Sequence, residues 1–94
     1  MLKARIHSYF MSGELLCVVV NVLTNNCMAM FMFPVPEDFT LHYTYPRELK
    51  ERLYDLAYSY EQPERDLLIE LYWYIHRSKN HTIWIPDDYN LNYI

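Results

Sequence analysis

Glycine is almost missing from this sequence: Gly13 is the only one in 94 residues. Loops that cradle a phosphate need glycine where the backbone closes on the anion, so nucleotide-binding loops are excluded. Cysteine is scarce as well. Cys17 and Cys27 lack the close spacing of a zinc knuckle, and both sit in apolar runs, where a thiol is a poor nucleophile. Excess positive charge is absent, since the formal net charge is −4. The imbalance is local: residues 1–36 sum to +1 and residues 37–94 to −5. Neither value is the electrostatic footprint of a nucleic-acid or anionic-membrane binder. An unbroken apolar run of spanning length is also lacking. The nearest stretch, Glu14 to Phe33, carries Asn21, Thr24, Asn25 and Asn26 at its centre, where polar side chains are costly in a bilayer. The N-terminus has no signal-peptide pattern, so two thiols and a reducing, cytoplasmic setting are expected.

What is present is apolar and aromatic: 52% hydrophobic and 17% aromatic residues, enough to exclude disorder as the main state. The stretch ELLCVVVNVL-TNN-CMAMFMF organises the rest. Its β-branched and aromatic content predicts a hairpin of two strands. With Asn25-Asn26 as the loop, Thr24 pairs with Cys27, Val22 with Ala29, Val20 with Phe31 and Val18 with Phe33. One face then carries Leu16, Val18, Val20, Val22, Ala29, Phe31 and Phe33. The other carries Leu15, Cys17, Val19, Leu23, Met28, Met30 and Met32, with Asn21 among them. A sheet with one wet face would alternate apolar and polar, so both faces need a cover. This register buries both thiols roughly 20 Å apart, too far for a disulfide.

The chain reads as a single α+β domain: a β-meander of about four strands over 1–44, a helical hairpin over 45–79, and a C-terminal strand with an aromatic tail over 80–94. Residues 2–10 alternate, with Leu2, Ala4, Ile6, Ser8 and Phe10 on one side and Lys3, Arg5, His7 and Tyr9 on the other. The length of the Ser12-Gly13 turn decides whether Ile6 and Phe10 join the methionine or the valine face, and the sequence leaves that register open. Phe39, Leu41 and Tyr43 suggest a short fourth strand. Pro46 opens a helix with the stripe Leu49, Leu53, Leu56, Ala57 and Tyr60. Pro63 opens a second helix with Leu67, Leu68, Leu71 and Ile75 on one side, and Ile69 and Trp73 nearly opposite. HTIWI predicts a strand from His81 to Ile85, and YNLNYI an edge strand. Trp84 and Tyr60 are expected in the core.

No residue constellation points to catalysis, a metal or a cofactor. The acidic pairs Glu37-Asp38 and Asp87-Asp88 follow prolines at turns and fit solvated turn residues. The expectation is therefore a non-catalytic interaction protein. Tyr and Trp are enriched at interfaces, so Glu51, Tyr54, Asp55, Tyr58, Asp87, Asp88, Tyr89 and Tyr93 are the candidate surface for a protein partner. Met28, Met30 and Met32, with Ile69 and Trp73, are candidates for a homodimer interface, since thioethers repack easily and large apolar patches are seldom left wet. Direct nucleic-acid binding is not expected. By analogy, a compact acidic domain of this kind suits a small phage-encoded inhibitor of a host defence system, of the anti-CRISPR type. Two other readings stay open: an acidic DNA mimic or nucleic-acid accessory protein, and a structural subunit of a homo-oligomer.

Overall fold

A computed structural model describes residues 1–37, 39, 46–77 and 81–94, with residues 46–48 as backbone only. It has the expected α+β architecture. Strands β1 (Leu2–Ser12), β2 (Leu15–Val22) and β3 (Cys27–Pro34) form an antiparallel meander. Helices α1 (Pro46–Ala57) and α2 (Glu64–Arg77) pack together, and β4 (Ile83–Ile85) and β5 (Asn92–Tyr93) complete a five-stranded sheet in the order β4-β1-β2-β3-β5.

The central hairpin pairs Val22 with Cys27, Val20 with Ala29, Val18 with Phe31 and Leu16 with Phe33. This is two residues away from the register expected for a two-residue loop. Residues 23–26 form the loop instead, with Asn26 in the left-handed region at φ 53° and the Cys27 amide donating to Asn25 Oδ1. A slip of two keeps the face of every side chain. The valine face is accordingly buried throughout, from Leu16 to Phe33. Cys27, at the first position of β3, is exposed rather than buried.

The meander's first turn is Gly13-Glu14, with Ser12 opposite Leu15. Gly13 has φ 59°, the positive value that the first position of a II′ hairpin turn requires. The turn thus has the two-residue length, and the register that it sets holds from Ser12 back to Ser8. A bulge between Ile6 and Ser8 adds His7 to the strand, so Ala4 and Ile6 face the valine side, and so do Tyr9 and Met11. Phe10 keeps the methionine side, opposite Cys17, as the two-residue loop implies, and of the pair only Ile6 is moved to the valine side by the bulge. Tyr74 of α2 holds the bulge: its hydroxyl donates to the His7 carbonyl at 3.2 Å, and its ring meets Tyr9 edge-on.

Both helices cover the valine face. Leu49, Leu53 and Ala57 of α1 and Leu67, Leu68 and Leu71 of α2 join the sheet's Val18, Val20, Phe31 and Phe33 in one core. The link between the helices is stapled by Arg65, whose Nε donates to the Tyr60 carbonyl at 2.8 Å. The tail closes the same side. Tyr89 stacks on Phe31, and its hydroxyl donates to Glu64 Oε1 at 2.5 Å. Burial first, then this hydrogen bond and the carboxylate's charge, push the Tyr89 phenol well above its ordinary pKa. β5 pairs only with Ala29 and Met30. Ile94 donates to the Met28 carbonyl, so by alternation Met32 and Pro34 also face the outer edge, where Pro34 has no N–H to offer.

Two expectations need correction. Trp84 is not core: β4 pairs with Leu2–Ala4, placing Trp84 beside Lys3 on the methionine face, 48% exposed. Phe39, expected to begin a strand, is buried in a helical turn, its amide donating to the Pro36 carbonyl. The remainder of that expected strand, residues 40–43, lies outside the described residues.

Candidate functional site

Two surfaces collect the side chains that the core does not use. The first is the methionine face of the sheet. Its side chains stand in rows across the strands. From one end these are Trp84, Lys3 and Leu23; then Arg5, Asn21 and Met28; then Ser8, Val19 and Met30; then Phe10, Cys17 and Met32; and last Ser12 and Leu15. None belongs to the core under the helices. At the margins of the face, Trp84 borders a hollow with Asp66, Ile69 and Glu70 of α2, and Met30 and Met32 border one with the tail residues Asn90, Leu91 and Asn92. Phe10 and Met32 remain 42% and 44% exposed. Cys17, between them on the middle strand, is buried by these flanking side chains, and burial pushes its thiol pKa up, away from reactivity.

This face is apolar in its middle and carries Lys3 and Arg5 at one end. Lys3 and Arg5 stand at the end near the β2–β3 loop, with Lys3 Nζ 5.3 Å from the centre of the Trp84 ring. Glu14 occupies the β1–β2 turn at the other end.

The second surface lies on the helical layer. Tyr54 of α1 meets Tyr72 of α2 at 4.6 Å between ring centres, and Tyr72 meets Trp73 edge-on at 5.0 Å. Lys50 lies over Tyr72 and Arg77 over Trp73, each at 5.5 Å. His76 completes the group, its Nε2 3.4 Å from Lys50 Nζ. A hollow of about 270 Å³ between the helices is lined by Lys50, Glu51, Tyr54 and Tyr72. Partial desolvation, then the charges of Lys50 and Arg77, hold the His76 pKa below its ordinary value. Replacing Lys50 with Met should therefore raise the His76 titration midpoint, read from its imidazole resonances. A midpoint that does not move would show that Lys50 exerts no field there.

The sequence-predicted residues are spread over the molecule. Met28, Met30 and Met32 share the open face. Trp73 and Ile69 lie in the helical layer instead, and Ile69 is half-buried against the core. Tyr54 and Glu51 border the hollow. Asp55 is exposed on α1, and Tyr58, 68% exposed, lies under the Arg65 guanidinium. Asp87 pairs with the Met1 ammonium at 2.9 Å, and Asp88 is exposed beside it in sequence. Tyr89 is turned inward onto Phe31, while Tyr93 is exposed on the edge strand β5.

Sequence reasoning missed Trp84 on the open face and left the face of Phe10 undecided between two loop lengths. It also missed the Lys50, Tyr72 and His76 group beside Tyr54. The α1 sequence places Tyr54 between Glu51 and Asp55 and one turn after Lys50, and the α2 packing adds Tyr72 and His76. Among the described residues no three His, Cys, Asp or Glu side chains are grouped to hold a metal ion. No helix among them is long and apolar enough to cross a membrane. Compared with protein-family models, with curated proteins and with solved structures, the chain matches none significantly.

Proposed function

We propose that this protein is a non-catalytic interaction module that pairs with a second copy of itself through the methionine face of its sheet. The observation that carries this reading is a two-layer fold whose helices and tail all pack on one side of the sheet. Among the described residues the other side holds Phe10, Met28, Met30, Met32, Leu23 and Trp84 outside that core. Exposed apolar patches of this kind mark association surfaces, and thioethers adapt readily to a facing surface. The paired molecule then presents its helical layers outward. There the Tyr54, Tyr72 and Trp73 rings are suited to docking a protein partner, because rigid aromatic side chains with nearby cations dominate binding energy at interfaces. A small inhibitor that occupies one protein target would be built this way. A reducing, cytoplasmic compartment fits its two free thiols.

Methionine methyl resonances test the pairing. Dilution should shift the Met28, Met30 and Met32 methyls together, while Met11, which packs against the core, keeps its position. Identical spectra over the whole accessible concentration range would rule the pairing out.

A further inference from the structure

We infer that the partner on the helical layer presents an acidic segment, one carboxylate of which is held by the Lys50, His76 and Arg77 group. This rests on the protein being an interaction module and is independent of its pairing through the sheet. The chain is acidic overall, with a formal net charge of −4, yet positive charge gathers at this place. Lys50 lies over Tyr72 and Arg77 over Trp73, and the two rings meet at 5.0 Å. After desolvation, the fields of Lys50 and Arg77 both act to lower the His76 pKa. Among the described residues neither Lys50 nor Arg77 has a carboxylate in ion-pair contact. Like charges gathered around one imidazole repel each other, and an anion placed among them relieves that repulsion. A lysine ammonium can only donate, so its 3.4 Å contact needs an Nε2 of His76 that carries no hydrogen. Nδ1 then carries the imidazole hydrogen, a third donor beside the two cations.

The neighbouring groups decide what kind of anion fits. The hollow beside Lys50, about 270 Å³, is lined by Tyr54, Tyr72 and Glu51 as well. Its tyrosines suit an apolar side chain, as aromatic anchors do at interfaces. Glu51 is exposed, and so is Asp55, one turn further along α1. Residues 37–94 as a whole sum to −5. A nucleic-acid strand brings a phosphate at every step, and its further charges would meet these acids. A peptide can set a single carboxylate on Lys50 and Arg77 and a neighbouring apolar side chain in the hollow. Hydrogen bonds from charged donors to a carboxylate are the strong kind, and each cation can form them from its seat on an aromatic ring. The matching surface is therefore a short run of alternating acidic and apolar residues.

Chemical-shift titration of the full chain tests this with three probes: a capped peptide of alternating Asp and Leu, the same peptide with Asn for Asp, and an oligothymidylate of equal length. The Asp peptide should shift the His76 imidazole and Trp73 indole resonances together at millimolar concentration or below. The Asn peptide should bind at least roughly tenfold more weakly. Lys50→Met with Arg77→Met should weaken the Asp peptide by a similar factor. Glu51→Gln should instead tighten it about twofold, a gain that misfolding does not produce. Asp and Asn peptides of equal affinity, or a double variant that binds as the wild type does, overturn the inference. An oligothymidylate that binds the same residues more tightly than the Asp peptide assigns the cations to nucleic acid and overturns it too. The Met28, Met30 and Met32 methyls report the pairing separately. Peptide that shifts His76 in a protein that stays monomeric supports the docking site and refutes the pairing. Peptide without effect on His76 or Trp73, in a protein that does pair, refutes the docking site alone.

Discussion

Replacing Phe33 with Ala should lower the stability of the fold by about 3–5 kcal/mol, the range for losing a large aromatic side chain from a packed core. A domain of this size holds on the order of 5–10 kcal/mol in total, so the variant should lie near the edge of folding. The reason is position. Phe33 is 1% exposed, parallel to Phe31 at 6.3 Å and edge-on to Tyr60 at 5.2 Å. It thus joins the third strand to the segment that links the helices. Urea unfolding of dilute protein, where association adds nothing, should show a large fall in midpoint at unchanged slope. Met32→Ala, one residue earlier on the same strand, should cost less than about 1 kcal/mol under the same conditions, because surface truncations of this kind cost little. Equal losses at the two positions would mean that both sheet faces are covered within one chain.

The second large effect falls on association rather than folding. Phe10→Glu together with Met32→Glu should weaken self-association by at least roughly 100-fold, about 3 kcal/mol. Both side chains stand in one row with Cys17 between them. Pairing would force two carboxylates into an apolar contact, where an unpartnered charge is expensive to bury. In the separate chain the same side chains reach water, so circular dichroism and the dilute unfolding midpoint should change little. A double variant that still pairs would remove the methionine face from the interface. One that unfolds would show that Phe10 and Met32 belong to the core.

Much of this arrangement is legible in the sequence, and the reasons differ by element. The two faces of the central hairpin follow from strict alternation, and they survive a wrong register because the error is two residues. The helices follow from prolines at their starts and leucines at helical spacing. Leu49, Leu53, Leu67, Leu68 and Leu71 are all buried as that spacing implies. The bulge at His7 is not legible, because it depends on Tyr74, 67 residues away, reaching its carbonyl. Without that contact the alternation in β1 runs through unbroken and puts Phe10 beside Ile6. Trp84 misleads in a similar way. A tryptophan between isoleucines reads as core, but the pairing of β4 with Leu2–Ala4 commits Ile83 and Ile85 inward and sends Trp84 outward.

The candidate surface was legible only in part. Composition marks the methionines as unusual, and strand alternation puts them on one face. Which face the helices cover depends on long-range packing. Tyr89 reads as an exposed tail residue, yet Glu64 supplies an acceptor for its hydroxyl, which lets the ring turn inward onto Phe31. Tyr54 reads as part of an acidic helix face, yet Lys50 of its own helix lies over the Tyr72 ring that the neighbouring helix packs against it.

Sedimentation equilibrium of the unmodified protein tests the central claim most directly. A sheet sealed on one side by its own helices and on the other by a second copy should give a mass near twice 11.5 kDa at concentrations well above a roughly micromolar Kd, falling towards 11.5 kDa on dilution. A mass of 11.5 kDa at every concentration would contradict it.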